Sequence, residues 1–403
     1  MGIWRRHIHL THSFDGMQAF YLNALMRSLM FAIIGIFTPI FVYDIMRPIL
    51  GTVGYGIAAV AAYFLLMRVM TIVTLIPSSK LIEKLGFRKS VMLSGVFLSL
   101  YLGALLMANQ DWRWLIVALL AQGINTPLYW ISRLSTLSQD STKGKIGKQM
   151  GLLSVLEKLA GVLGPVAGGL MIEKWGFETL YGVALLVMIV SIWPLLTMPH
   201  HTHKNGVSIR GYFLWLKNRR FSHQAIGTVG KGMNDYAAGV VWPLAVVMLG
   251  VNLGLMGGVF SMVALVGVVM KWGSGVMFDK LHKKGGKEDE TMFAIASIGQ
   301  AISWIFRLFV KTVGGVLAVD LSAVLFGMTY ENIADDYMVM GGKRMHEIAY
   351  YTYRELTYSV VVVVFMGMLM VGAILNIWKE LLFISTSWWM IVGIVQARES
   401  NMR

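Results

Sequence analysis

Long, nearly uninterrupted apolar runs recur along the whole of this 403-residue chain. A bilayer hydrocarbon core about 30 Å thick is crossed by about 20 helical residues. Twelve runs reach that length, at roughly 23–45, 54–77, 89–108, 112–133, 148–173, 178–198, 224–249, 254–278, 291–311, 313–331, 346–373 and 376–397. The runs are continuous rather than alternating, which argues against a β-barrel. In lipid a helix satisfies its own backbone, so the expected fold class is an all-α, polytopic membrane protein. Only 14% of the residues are charged, against about 25% in soluble chains.

The formal charge is +14. On a soluble domain such a charge suggests nucleic acid. Here the cations fall in the connections. With the N-terminus in the cytoplasm, the connections on that side hold 23 Lys and Arg, and the outer ones hold Arg47, Arg113, Lys174, Lys311 and Lys379. The positive-inside rule then puts both termini in the cytoplasm, in a cell membrane. The lipid bilayer is an expected partner and nucleic acid is not. There is no cysteine, hence no disulfide and no thiolate metal site. Residues 1–17 lack the short apolar run and small-residue cleavage site of a signal peptide. Asp335 and Asp336 are the only adjacent acidic pair outside the 288–290 run, with no His at metal spacing. No cofactor, no metal and no enzyme activity are expected.

The longest polar connection, 199–222, divides the chain into an N-terminal six-helix bundle (1–198) and a C-terminal one (223–403). Within it, Ser208 to Ser222 mixes Phe213, Trp215, Leu216 and Phe221 with Arg210, Lys217, Arg219 and Arg220. That mixture suits a short helix lying on the inner leaflet, and a plain charged loop is the alternative. The two halves carry a weak repeat, as paired bundles of parallel topology should. Ser79 to Lys89 (SKLIEKLGFRK) follows span 2, and Gly275 to Lys284 (GVMFDKLHKK) follows span 8. In spans 1 and 7, Arg27, Gly35 and Pro39 match Lys231, Gly239 and Pro243, all 204 residues apart.

Charges within spans are costly and face a cavity or a partner. Arg27, Lys271 and Arg354 lie near the cytoplasmic ends of their spans, where long side chains snorkel. Arg68 lies on span 2. Lys231 and Asp235 are spaced i, i+4 and share one helix face. They form either a proton or substrate site or an ion pair that only orients span 7. Asp320 on span 10 is the first candidate for a proton-carrying acid, with Arg307 at similar depth on span 9 as its available partner. Tyr129 and Trp130 on span 4 offer aromatic faces to a substrate, or else belong to an interfacial belt.

The segment Ser79 to Lys89 resembles the loop signature of the major facilitator superfamily, G-x-x-x-D-[RK]-x-G-[RK]-[RK]. Glu83, Lys84, Gly86 and Arg88 fit it, with Glu in place of Asp. The second copy keeps Gly275, Asp279 and Lys280 but has His282 for its second Gly. On span 5, Gly151, Gly164, Pro165, Gly168 and Gly169 are similar to the antiporter motif of the same superfamily, with Ala160 where Gly is usual. The resemblance implies a monomeric secondary transporter of a small solute, two pseudo-symmetric six-helix bundles, and alternating access with proton-coupled efflux. It also implies that Glu83 latches onto Arg354 and Asp279 onto Lys158, and that the span-5 motif packs the halves together. One departure matters: Leu119 stands where R-x-x-Q-G would place Arg ahead of Gln122-Gly123. An uptake symporter or uniporter for a sugar, organic anion or peptide is therefore kept beside efflux. For such an uptake carrier the in-span cations favour an anionic substrate.

Overall fold

The computed structural model describes residues 16–140, 146–197, 207–282, 286–345 and 347–395, and all regular structure among them is helical. In chain order the elements are α1 (Gly16–Ile34), α2 (Thr38–Leu50), α3 (Val53–Ala108), α4 (Trp114–Asp140), α5 (Ile146–Ile192), α6 (Ile209–Lys217), α7 (Arg219–Tyr236) and α8 (Trp242–Val247). They continue with α9 (Leu253–His282), α10 (Gly286–Phe306), α11 (Val313–Arg344), α12 (Glu347–Ile374) and α13 (Trp378–Val392). A π-helical turn, Ala237–Val241, joins α7 to α8.

Among the described residues, 8 helical stretches are long and apolar enough to cross a membrane, against the twelve expected. Two of these stretches contain an internal break. α3 has 56 residues, which as a straight rod would measure about 84 Å, nearly three bilayer cores. It is two helices joined at Gly86, whose backbone (φ 76°, ψ 165°) is not helical. Phe64 and Tyr101, one from each limb, line the same cavity, so the chain doubles back there. α5 is likewise two helices joined at Gly176 (φ 81°, ψ 176°). α13 has only 15 residues, and α7 carries Lys231 and Asp235, so neither reads as a full apolar crossing.

Both reversals occupy a region of φ/ψ space that is essentially glycine-only. They share a local sequence, Glu83-Lys84-Leu85-Gly86-Phe87 and Glu173-Lys174-Trp175-Gly176-Phe177. Phe87 is buried, and Phe177 packs on Phe41 and Tyr181. An alanine at either glycine is expected to cost about 1–3 kcal/mol. Denaturant titration of the purified chain measures it. A loss below about 0.5 kcal/mol at both positions, the range of an ordinary surface substitution, would contradict this account of the reversals.

The 204-residue repeat reappears as a shared backbone device. α1 stops at Ile34, and α2 restarts with Pro39 in its first turn. α7 gives way to the π turn, and α8 restarts with Pro243 in its first turn. A proline lacks the N–H that would bond the carbonyl four residues back. Those carbonyls belong to Gly35 and Gly239. Both helices therefore loosen at the same place, and π turns of this kind concentrate at functional sites.

α3 packs along α4 and α12, and α5 packs along α1 and α9. Val73, Leu163 and Leu186 are each more than 60% exposed, part of a broad apolar exterior. Soluble monomers rarely show apolar patches of that extent. α6 is N-capped by Ser208, whose Oγ accepts from the Gly211 N–H at 3.0 Å. Trp215 is buried against Tyr350, Tyr353 and Phe221, while Ile209, Phe213 and Leu214 stay exposed. The helix expected across 208–222 is thus shorter. It ends at Lys217, and Phe221 belongs to α7. Residues 198–206 of that connection lie outside the described residues.

Candidate functional site

The two loosened helices meet at a cavity of about 180 Å³. Gly35 from the first break and Gly239 from the π turn lie on its wall, as do Phe31 and Asp235, which the repeat also relates. α3 adds Phe64, Met67 and Tyr101, and α4 adds Gln122. A Cβ built on Gly239 meets nothing within 4 Å, so the wall is open there. Among the described residues, Asp235 is the one on this wall with a formal charge.

Behind the wall lies a polar network. Asp235 Oδ2 accepts from Tyr358 Oη at 3.1 Å and lies 3.5 Å from Lys231 Nζ. Arg68 donates from Nε to Tyr236 Oη at 2.5 Å and from Nη1 to Glu355 Oε1 at 2.8 Å. Its guanidinium also faces the rings of Tyr236 and Tyr358. Arg68 and Glu355 are 11% and 12% exposed, so the pair is held largely away from water. It ties α3 to α12, while Tyr236 and Tyr358 tie both to α7. A charge-assisted pair in such surroundings is stronger than one in water.

A second polar chain reaches the cavity from the other side. Arg27 is fully buried. It donates to Ser94 Oγ at 3.0 Å and Asn125 Oδ1 at 2.8 Å, and stacks 3.6 Å from the Tyr129 ring centroid. Asn125 Nδ2 in turn donates to Gln122 Oε1 at 3.0 Å. Gln122 therefore keeps its own amide N–H groups for the cavity. Arg27 does not snorkel, as its position near a span end had suggested. Neutral acceptors and an aromatic face hold it inside the bundle instead.

The remaining sequence candidates separate by location. Asp320 is 5% exposed; its Oδ1 is 2.8 Å from Arg307 Nη2, and its Oδ2 accepts from Trp242 Nε1 at 3.0 Å. Arg307 sits 3.8 Å over the Trp304 ring. Both Asp320 oxygens are filled, and neither residue lines the cavity. Tyr129 is buried, whereas its neighbour Trp130 is 41% exposed, because adjacent helix positions point about 100° apart. Arg133 is within α4 and pairs with Glu157 at 2.5 Å.

Of the two expected latches, the one from Asp279 to Lys158 involves a side chain outside the described residues. Glu83 Oε1 is buried without a partner, and no ion pair joins Glu83 to Arg354 among the described residues. Lys84 is exposed. Lys158 pairs with Glu331 of α11 at 3.2 Å. Arg88 donates to the Leu196 carbonyl at 2.5 Å, pinning the turn after Gly86. Asp279 and Lys280 fall near the end of α9, and their side chains, like that of Lys271, lie outside the described residues. Gly151 is in the first turns of α5.

The glycines of α5 act by contact. A Cβ on Gly164 would overlap Ala32 of α1, and one on Gly168 would meet the Ile33 carbonyl and the Phe37 ring. A Cβ on Gly169 would meet the Leu253 carbonyl of α9, and Gly257 of α9 sits on the Pro165 carbonyl. The Val166 N–H donates to Ser261 Oγ of α9 at 2.9 Å. Small residues thus bring backbones together on both sides of α5.

Of the residues named from the sequence, Asp235 lies on the cavity wall and Lys231 and Arg68 in the network behind it; Tyr236, Tyr358 and Gln122 were not singled out as wall or network members. One signal was available. Tyr358 is i+3 from Glu355, on the same face of α12.

A loosened-helix cavity inside an apolar exterior defines a multi-pass helical membrane protein. The chain belongs to the Major Facilitator Superfamily, whose family model matches residues 21–338. It is similar to the uncharacterized MFS-type transporter C18.02 of Schizosaccharomyces pombe, at 28% identity over 41% of this chain and 40% of that protein. It is also similar to the uncharacterized MFS-type transporter Rv1250 of Mycobacterium tuberculosis, at 27% identity over 25% of this chain and 19% of that one. The matches thus span less than half the length of these relatives. The fold is that of the human organic anion transporter MFSD10 (TETRAN), with a TM-score of 0.68, 11% identity, and coverage of 94% of this chain and 98% of that one.

Proposed function

We propose that this chain is a secondary carrier of a small solute, working by alternating access in a cell membrane. In this reading α3 and α5 each cross twice, and α1 with α2 and α7 with α8 each cross once. With single crossings by α4 and by α9 to α13, that makes twelve. Residues 1–198 and 223–403 form two six-helix bundles with both termini in the cytoplasm, and a monomer suffices. The observation that carries the reading is the cavity itself. Repeat-related helices from the two halves loosen there, at Gly35 and at Gly239. Binding sites near the midplane, at broken helices of paired repeats, are the usual carrier arrangement.

Proton-coupled efflux is the direction we favour, with Asp235 as the carboxylate that exchanges its proton at the cavity wall. Its support is the α5 glycine motif together with a wall whose single charge is an acid. The departure at Leu119 supports the second reading, an uptake symporter or uniporter. A thermal-shift screen of the purified chain with drugs, sugars and organic anions identifies ligands, and flux of the hits is then followed in proteoliposomes under a pH gradient. Asp235→Asn is expected to lower flux at least tenfold. Full flux in that variant would remove Asp235 from the mechanism, and flux independent of the gradient would remove the proton.

A further inference from the structure

α6 has nine residues and carries large apolar side chains on both of its sides. The bundle takes up one side. Trp215 packs on Tyr350, Tyr353 and Phe221. Tyr212, three positions earlier, shares a hydrogen bond of 3.2 Å between its Oη and Thr357 Oγ1. The Ser208 N–H donates to Tyr353 Oη at 3.3 Å, and a Cβ on Gly211 would overlap that hydroxyl. The helix is thus clasped to the first turns of α12, and the clasp fixes which side looks outward.

On the outward side, Ile209, Phe213 and Leu214 are each more than half exposed. Arg210 and Lys217 are exposed as well. The spacing i, i+3, i+4, i+7 puts Arg210, Phe213, Leu214 and Lys217 on one helix face. Neither cation has an ion-pair or hydrogen-bond partner among the described residues. From this we infer that the outward face of α6 docks on anionic phospholipid of the inner leaflet. Phe213 and Leu214 enter the acyl boundary, and Arg210 and Lys217 bind headgroup phosphates.

Charge complementarity selects that occupant. The connection 199–222 contains Lys204, Arg210, Lys217, Arg219 and Arg220 and no Asp or Glu. A helix face of this composition binds a leaflet through its apolar area together with attraction to negative headgroups. A second copy of the chain fits less well, because a two-fold contact through this face would bring the cations of one copy against those of the other. Free phosphate fits less well too, since it would satisfy the cations and leave Ile209, Phe213 and Leu214 in water. The inference takes the cytoplasmic placement of residues 199–222 from the carrier reading, and nothing else from it.

The test reads which lipid lies beside α6. The chain has no cysteine, so Ile209→Cys gives a single thiol on the outward side for a bimane label. The labelled full chain is placed in nanodiscs that hold phosphatidylcholine and phosphatidylglycerol in one fixed proportion. An acyl-chain nitroxide, which quenches bimane on contact, is carried in equal amount by the phosphatidylglycerol in one preparation and by the phosphatidylcholine in the other. Quenching is expected to be about twofold stronger, or more, with the nitroxide on phosphatidylglycerol. Arg210→Gln with Lys217→Gln should make the two preparations equal, and Arg210→Glu with Lys217→Glu should reverse their order. Both side chains are exposed, so these variants should keep the fold. Lys80→Gln with Lys89→Gln, at exposed cations of α3, should leave the preference intact, and so should soluble glycerol phosphate. Equal quenching in the two preparations without further substitution would overturn the inference. No quenching from either lipid would do the same and leave the face to a protein partner or a second copy. A preference lost equally in the Lys80 and Lys89 variant would spread the attraction over the whole basic surface, and one abolished by glycerol phosphate would assign the cations to a free anion; either result contradicts the proposal. None of these readings depends on transport, so the inference can fail while the carrier reading stands.

Discussion

Arg307→Met is expected to destabilise the chain by about 3–5 kcal/mol, the loss typical when one partner of a buried ion pair is removed. The guanidinium is the charge partner of Asp320 and lies against Trp304 and Trp242. Without it, Asp320 keeps only the Trp242 indole N–H and becomes a buried, uncompensated carboxylate. The pair joins the end of α10 to α11, and through Trp242 to the start of α8. The loss should therefore be global and appear as reduced yield and lower thermal stability in detergent. Arg307→Met combined with Asp320→Leu removes both charges and should recover most of it, since replacing a whole buried pair by apolar groups is often neutral. A double variant as unstable as Arg307→Met would contradict this account of the pair.

Glu355→Gln is expected to cut flux at least tenfold while costing only about 1.5–3 kcal/mol of stability, the range for a hydrogen bond to a charged group. The shape at position 355 is kept and the charge is lost. Arg68 retains Tyr236 Oη and the two tyrosine rings, so the bundle should still fold. What disappears is the ionic tie between residues 287 positions apart, on α3 and α12. Those helices pack together from opposite halves of the proposed carrier, α3 lining the cavity and α12 reaching its wall through Tyr358 and Asp235, and their relative position must be defined in each state. Flux in proteoliposomes, set against the thermal shift of the same preparation, separates the two effects. Equal flux in Glu355→Gln and wild type would show that the tie is only structural.

The fold class was legible because bilayer crossing demands long apolar helices, and such runs survive any ambiguity about their ends. Gly86 and Gly176 were less legible. The charged residues around them marked a break between spans, but nothing in the sequence singled out one glycine as the point where each helix turns. Local pairs could be read from spacing, as with Lys231 and Asp235 one turn apart. Arg307 and Asp320 were legible for a related reason, since they face each other across a short turn. Arg68 and Glu355 could not be paired that way, because their meeting depends on how α3 and α12 pack. Arg133 stands at the end of a span in the sequence, and its ion pair with Glu157 of α5 could not be read from spacing. Tyr129 and Trp130 were adjacent candidates, but they point about 100° apart and only Tyr129 is buried.

The central claim is that the cavity at Gly35 and Gly239 opens in turn to each side of the membrane. The chain has no cysteine, so Gly239→Cys introduces the single thiol, at a wall position with free space around it. A membrane-impermeant maleimide applied to right-side-out and then to inverted vesicles should modify that thiol in both orientations. Labelling from one side only, or from neither, would contradict alternating access through this cavity.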